Sequence, residues 1–273
     1  MSIVASIQLT SGPNIQANMY EVANYFDEIS KTKCKVVVLP ENFALMPADD
    51  LDFIKHAEEE GNGPIQEFVI ESAKKYKFWI VAGTIPIKTK NPNKVTATTF
   101  VYDDKGKVVC RYDKMHLFDV KLPNSDESYN ESRVFEHGDK IKVIETPLGI
   151  TGLSCCYDLR FPEIFRLQHE YNVEIFILPA AFTEQTGKVH WETLVRTRAI
   201  ENLCYMVTAC QEGYHISGRK THGNTMIVNP WGQITSRLSS GKGFIEADIN
   251  IKQLHSIREN FPVLEHIRLL KDK

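Results

Sequence analysis

The chain has 273 residues, 42% hydrophobic and 25% charged, which is enough apolar material for a substantial core and argues against a disordered or low-complexity protein. The net charge of −3, with acids and bases interspersed, provides no basic face for a nucleic acid backbone. No apolar run reaches the roughly 18 residues of a membrane span and the first ten residues lack a secretory pattern, so no membrane partner is expected and the chain reads as cytoplasmic.

Ile3 to Leu9 is a β-rich run, and after Ser11-Gly12-Pro13-Asn14 the residues Ile15, Met19, Val22, Ala23, Phe26 and Ile29 recur at helical spacing. Lys35 to Leu39 reads as a buried strand ending at Pro40. Ile65, Phe68, Val69, Ala73 and Tyr76 mark a second helix, followed by a strand over Phe78 to Ala82. Strands alternating with helices predict a largely parallel sheet covered by helices. Between Val95 and Tyr112 the pattern becomes two strands about the turn Asp103-Asp104-Lys105-Gly106, which reads as a hairpin. The polar stretch from Asp119 to Lys140 exceeds what a connector needs and is expected to cover a site.

The second half continues with strands Ile141 to Glu145 and Ile150 to Leu153, a helix from Phe161, a strand Glu174 to Pro179 and a helix Val189 to Leu203. Strands Tyr205 to Ala209 and Asn224 to Val228 follow, then further strands after Asn229-Pro230-Trp231-Gly232 and a last helix capped near Asn250. No linker interrupts the series, so one α/β domain over residues 1–273 is expected. Two sheets between helix layers fit the elements, and a single doubly wound sheet is the alternative.

The cysteines, at positions 34, 110, 155, 156, 204 and 210, form no CxxC pair and have no histidine at zinc-finger spacing, so neither a metal site nor a disulfide framework is signalled. Ser154-Cys155-Cys156-Tyr157-Asp158-Leu159-Arg160 sets a thiol where an apolar strand gives way to a helix start. Such a turn lifts a side chain out of the sheet and brings main-chain N–H groups beside a thiolate or an oxyanion. Cys156 is the candidate nucleophile, and strand alternation sends Cys155 into the sheet. A free thiol is mostly protonated at neutral pH and needs a base. Glu41 and Lys114 stand at other strand ends, where α/β folds place ligand-binding groups. His116, beside Lys114, is the rival base of a Cys-His pair and is read as a supporting residue.

Taken together, Val36-Val37-Val38-Leu39-Pro40-Glu41-Asn42-Phe43, Asp113-Lys114-Met115-His116-Leu117-Phe118-Asp119 and Cys156-Tyr157-Asp158-Leu159-Arg160-Phe161-Pro162-Glu163 resemble the nitrilase superfamily of carbon–nitrogen hydrolases. His190-Trp191-Glu192 and Asn229-Pro230-Trp231-Gly232 extend the resemblance over nearly the whole chain. It implies a four-layer αββα sandwich, a homodimer or larger homo-oligomer, and a Glu-Lys-Cys triad of Glu41, Lys114 and Cys156, with Glu131 as the supporting acid that holds Lys114. Attack on an amide would pass through a thioester and release a carboxylic acid and ammonia, without metal or organic cofactor. Burial is expected to raise the proton affinity of Glu41.

For the substrate, Tyr157 supplies a main-chain N–H to the oxyanion, Arg160 is expected at the pocket mouth to hold a carboxylate in two-point fashion, and Thr183 and His190 are expected to line the pocket. Within the superfamily the chain looks most like the deaminated glutathione amidases. The omega-amidases of alpha-keto acid amides and the N-carbamoyl amino acid hydrolases are alternatives. An inactive dimeric scaffold that binds a small acid is the non-enzymatic one. The segment Leu122 to Tyr129 departs from the family pattern and is expected to shape substrate choice.

Overall fold

The structure, a computed structural model, describes residues 2–123 and 127–268. Asn124, Ser125 and Asp126, within the segment expected to shape substrate choice, lie outside the described residues. Two β-sheets stack face to face with helices on their outer faces, which settles the choice between two sheets and one in favour of the αββα sandwich. In spatial order the first sheet runs Gly243–Ile249, Ser2–Gln8, Cys34–Val38, Trp79–Lys88, Val95–Tyr102 and Val108–Asp113, with Phe135–Glu136 added alongside Val95–Tyr102. The second runs Ile234–Leu238, Thr225–Val228, Tyr205–Cys210, Ile175–Ala180, Gly149–Leu153 and Val143–Thr146.

In each sheet three adjacent parallel strands are flanked by antiparallel ones, so the expected largely parallel character is confined to the centre. The central strands are buried on both faces, which is why they read as continuous apolar runs. Val36 and Val38 enter the core between the sheets, together with Ile175, Ile177, Val207 and Ile227 of the second sheet. Val37 and Leu39 face the opposite core, beneath the helices Ile15–Ile29 and Pro64–Tyr76. That helix layer is pinned by Phe26, whose ring meets Phe68 at 6.1 Å and Phe78 at 5.4 Å. Truncating a fully buried aromatic of this kind costs about 3–5 kcal/mol. Ile164 and Phe165 of Pro162–His169, and Val195 and Ala199 of Glu192–Asn202, cover the other face of the second sheet.

Asn14 and Asn250 cap their helices, accepting from Ala17 N–H at 3.0 Å and Gln253 N–H at 3.1 Å. The polar stretch after Asp119 is more ordered than a loop. It holds a hairpin of Asp119–Lys121 and Ser128–Asn130, the single turn Glu131–Arg133 and the strand Phe135–Glu136. The helix expected over Val189 to Leu203 starts as the wide turn Gly187–Trp191 and becomes regular over Glu192–Asn202. The hairpin of Glu212–Tyr214 and Lys220–His222 has no counterpart in the sequence reading. Among the described residues no helix is long and apolar enough to cross a membrane.

Candidate active site

Three strands deliver three groups to one cleft. Cys34–Val38 leads into Leu39-Pro40-Glu41, and the turn there depends on Gly83: a Cβ at that position would lie 1.8 Å from the Pro40 carbonyl oxygen. Gln211 Nε2 donates to the Glu41 carbonyl at 3.0 Å, and Asn42, at φ 57°, donates its N–H to Thr84 Oγ1 at 2.9 Å. Lys114 follows Val108–Asp113, and its main-chain N–H is fixed to the Ala97 carbonyl at 3.0 Å.

The Lys114 ammonium is buried between two carboxylates. It donates to Glu41 Oε1 at 2.9 Å and to Glu131 Oε1 and Oε2 at 2.8 and 2.9 Å. Glu131 Oε2 also accepts the Phe118 N–H at 2.6 Å, which fixes the carboxylate from behind. Burial alone would strip the proton from Lys114, but Glu131 and then Glu41 outweigh it and hold the amine well above its ordinary value.

Cys156 opens the single turn Cys156–Arg160 just past Gly149–Leu153, with φ at 45°. A non-glycine residue in that left-handed region is held there by its surroundings at some cost in strain. The clamp is Asp158, fully buried, which accepts the Cys155 N–H at 2.7 Å, the His116 N–H at 3.0 Å and the Tyr112 hydroxyl. His116 Nδ1 lies 2.7 Å from the same carboxylate and its ring stacks on Phe161 at 3.7 Å, so the histidine braces the turn, as a supporting residue would. Cys155 does not simply disappear into the sheet. It is fully buried, yet its thiol donates to Glu41 Oε1 at 3.5 Å.

Burial pushes the Cys156 thiol well above its ordinary value, and Glu41 adds to this against the pull of Lys114, the Ala181 main chain and Arg219. Glu41 departs from expectation. Burial does act upward on it, but the Lys114 charge and hydrogen bond outweigh that and leave the carboxyl below the ordinary range. For Glu131 the balance is reversed: burial, helped by Glu41, keeps it raised despite Lys114. The resting arrangement is therefore a neutral thiol beside a carboxylate, an ammonium and a second, more basic carboxyl.

The cleft encloses about 650 Å³ of solvent-open space, the scale of a small-molecule site. Glu41, Lys114, Glu131, Cys156, Tyr157 and Thr183 all line it, with Phe118, Phe135 and Phe182 as apolar walls. Arg160 and His190 are not among its lining residues. Arg160 Nη1 lies 3.2 Å from His190 Nδ1, and its guanidinium sits over the rings of Phe182 and Tyr157 at 5.0 and 5.8 Å, two side chains that themselves line the cleft. The cation that does line the cleft is Arg219, from the unanticipated hairpin. Its turn at Ser217-Gly218 was a legible signal; nothing local in the sequence says which way the arginine faces.

Comparison with known proteins covers almost the whole chain. The carbon-nitrogen hydrolase family profile matches residues 3–259. The deaminated glutathione amidase of Yersinia enterocolitica is 38% identical over 268 residues, 98% of this chain and 93% of that protein. The crystal structure of NitFhit from Caenorhabditis elegans superposes with a TM-score of 0.91 at 33% identity, covering 98% of this chain and 65% of the longer NitFhit chain. Nit3 of Saccharomyces cerevisiae, of the nitrilase superfamily, gives a TM-score of 0.86 at 28% identity over 99% of this chain and 96% of its own. With its sandwich fold, its buried acid–amine–acid cluster beside a strained cysteine, and a match along almost its whole length, the chain belongs to the carbon-nitrogen hydrolase family.

Proposed function

We propose that this amidase cleaves the amide of a small carboxylate-bearing substrate, deaminated glutathione, through a thioester on Cys156. The observation that carries the reading is the Lys114 ammonium, 2.9 Å from Glu41 and 2.8 Å from Glu131 in the cleft that Cys156 lines. Relatives that bear the name deaminated glutathione amidase support the substrate.

In this reading Glu41 accepts the Cys156 thiol proton as sulfur adds to the amide carbonyl carbon. The oxyanion is met by the Lys114 ammonium and the Tyr157 N–H, and one such donor is worth about 10²–10³ in rate. As Lys114 turns to the oxyanion its hold on Glu41 weakens. Burial then raises the proton affinity of Glu41 at the moment a proton must be taken. The C–N bond breaks, the amine leaves with the proton from Glu41, and the thioester remains. Glu41 next takes a proton from water as its oxygen adds to the thioester; collapse releases the acid, and the sulfur regains its proton. Side chains, substrate and water carry every proton and electron pair.

The leaving group needs one correction. Both amides of deaminated glutathione are secondary, so scission on the keto-acid side releases cysteinylglycine; ammonia is the product only from primary amides such as alpha-ketoglutaramate. The test is a panel read by release of the carboxylic acid. Deaminated glutathione should turn over faster than alpha-ketoglutaramate, and Cys156→Ala should abolish both while remaining folded. The reverse ranking moves the chain to the omega-amidases, cleavage of N-carbamoyl amino acids alone to that class, and no turnover to a scaffold.

We place the enzyme in the cytoplasm as a homodimer or larger homo-oligomer. The exposed side chains of Ile200, Trp231 and Phe261 support the dimer, with the last two rings 5.5 Å apart. Light scattering checks it.

A further inference from the structure

We infer that the cleft receives a carboxylate on each side of the scissile amide: Arg160 holds the one on the acyl side, and Arg219 takes a second one, on the leaving group. This rests on the amidase reading above and deepens it, by assigning the residue that reads the departing amine.

Phe118, Tyr129 and Tyr157 all line the cleft and form a row of rings, the Phe118 centroid lying 5.1 Å from that of Tyr129 and 5.0 Å from that of Tyr157. Each end of the row carries a guanidinium. Arg219 lies over Tyr129 at 5.3 Å, and Arg160 lies over Tyr157 at 5.8 Å and over Phe182 at 5.0 Å. The two come from different parts of the chain, Arg160 from the turn that presents Cys156 and Arg219 from the hairpin turn between Glu212–Tyr214 and Lys220–His222. Cys156 is within electrostatic reach of both.

Neither cation has a carboxylate of its own among the described residues. Arg160 Nη1 faces His190 Nδ1 at 3.2 Å. Arg219 donates from Nη2 to the Ala181 carbonyl, and its Nε is buried with no hydrogen-bond partner among the described residues. Lys114, by contrast, is divided between Glu41 and Glu131. A buried donor left unmade is costly, and a guanidinium answers a carboxylate at two points. A keto acid with a primary amide brings one anion and leaves the second guanidinium unanswered; an amide with an acid on both sides answers both. Arg160 shares its turn with the nucleophile and with Tyr157, which puts it with the acyl group that stays on sulfur. The hairpin end of the row is left for the group that departs.

That end is a built support. His215 is buried, with Nδ1 3.0 Å from the Ser11 carbonyl and Nε2 2.8 Å from Thr221 Oγ1, and its main-chain N–H donates to the Arg219 carbonyl at 2.9 Å. Thr183, which lines the cleft, bridges to Thr221 of the same hairpin. Under the guanidinium, the Tyr129 hydroxyl donates to Glu127 at 2.6 Å, which fixes the ring. Tyr129 closes the segment Leu122 to Tyr129, so the loop expected to shape substrate choice contributes the platform on which Arg219 rests.

The experiment compares deaminated glutathione with its glycinamide analogue, in which the carboxylate of the departing cysteinylglycine becomes a neutral carboxamide while the scissile amide and the keto acid are unchanged. The wild type should show a kcat/KM roughly ten- to a hundredfold higher for the acid. Arg219→Gln should bring the acid down to the level of the analogue, mainly through KM, and Arg219→Lys should recover part of the difference. Arg160→Gln should lower both substrates alike and keep their ratio. A wild type without preference for the acid, or an Arg219→Gln variant that keeps the preference, overturns the inference. If Arg219→Gln does not fold, Arg219→Lys decides: its acid-to-analogue ratio should fall below that of the wild type, and an unchanged ratio is equally fatal. A wild type that cleaves neither substrate sinks the amidase reading itself, whereas one that cleaves both equally well sinks only the assignment of Arg219.

Discussion

Cys155 and Asp158 exchange hydrogen bonds: the Cys155 N–H donates to Asp158 Oδ2 at 2.7 Å, and the Asp158 N–H donates to the Cys155 carbonyl at 3.0 Å. The pair closes the turn that holds Cys156 at positive φ, with no solvent access to the carboxylate. Asp158→Asn exchanges an acceptor-only group for one that must also place two donors among N–H and O–H partners. It should cost about 2–3 kcal/mol of stability and most of the turnover. Urea denaturation checks the first; an unchanged midpoint would show that the turn holds itself.

Glu131 meets Lys114 through both oxygens and holds Phe118 in place. Glu131→Gln should leave the fold within a few degrees of the wild-type Tm while lowering kcat on the order of 10²-fold, because the ammonium loses the charge that most strongly keeps it protonated and aimed. A variant whose kcat is unchanged would reduce Glu131 to a loop charge.

Because Lys114 keeps the Glu41 carboxyl below its ordinary 4.5, the base is already ionised throughout the mildly acidic range. In Glu131→Gln, which removes the raised carboxyl beside Lys114, the residual profile of kcat/KM against pH should therefore be flat between about pH 5 and 7, with the limb of Glu41 beneath that window. A limb centred near pH 6 that persists in Glu131→Gln would mean that a histidine, and not Glu41, takes the thiol proton.

His215 gives a pH dependence of stability. Burial, reinforced by Arg219, holds its imidazole below the ordinary 6.5 in the folded protein against the pull of the Ser11 carbonyl. The unfolded chain then binds the extra proton more readily, so the contribution of His215 is complete above about pH 6.5 and is lost as the pH falls toward the folded value. Melting temperatures at pH 7.5 and 5.5 should differ less in His215→Gln than in the wild type. Equal slopes would exonerate the histidine.

The elements that sequence reading located well are those whose period is enforced by burial on both faces, such as Lys35 to Leu39, or by an amphipathic face, such as Ile15 to Ile29. The three groups at the cleft were legible because each directly follows such an element and therefore emerges at a sheet end. The contacts of Arg160 were not legible: it is four residues from Cys156 along the chain, but only the turn decides that its side chain meets Phe182 and His190. Arg219 was invisible because its short hairpin has no periodic apolar face and is positioned by tertiary contacts through His215 and Thr221. The depressed proton affinity of Glu41 was likewise hidden, since burial and the Lys114 charge oppose each other and only their distance apart decides the sign.

Glu41 and Lys114 leave strands of the first sheet, whereas Cys156 leaves the second. Neither half of the sandwich holds the full reactive set, so a refolding intermediate with one half formed is catalytically blank. The regain of turnover after dilution from denaturant thus times the docking of the two halves, and can lag the return of ellipticity.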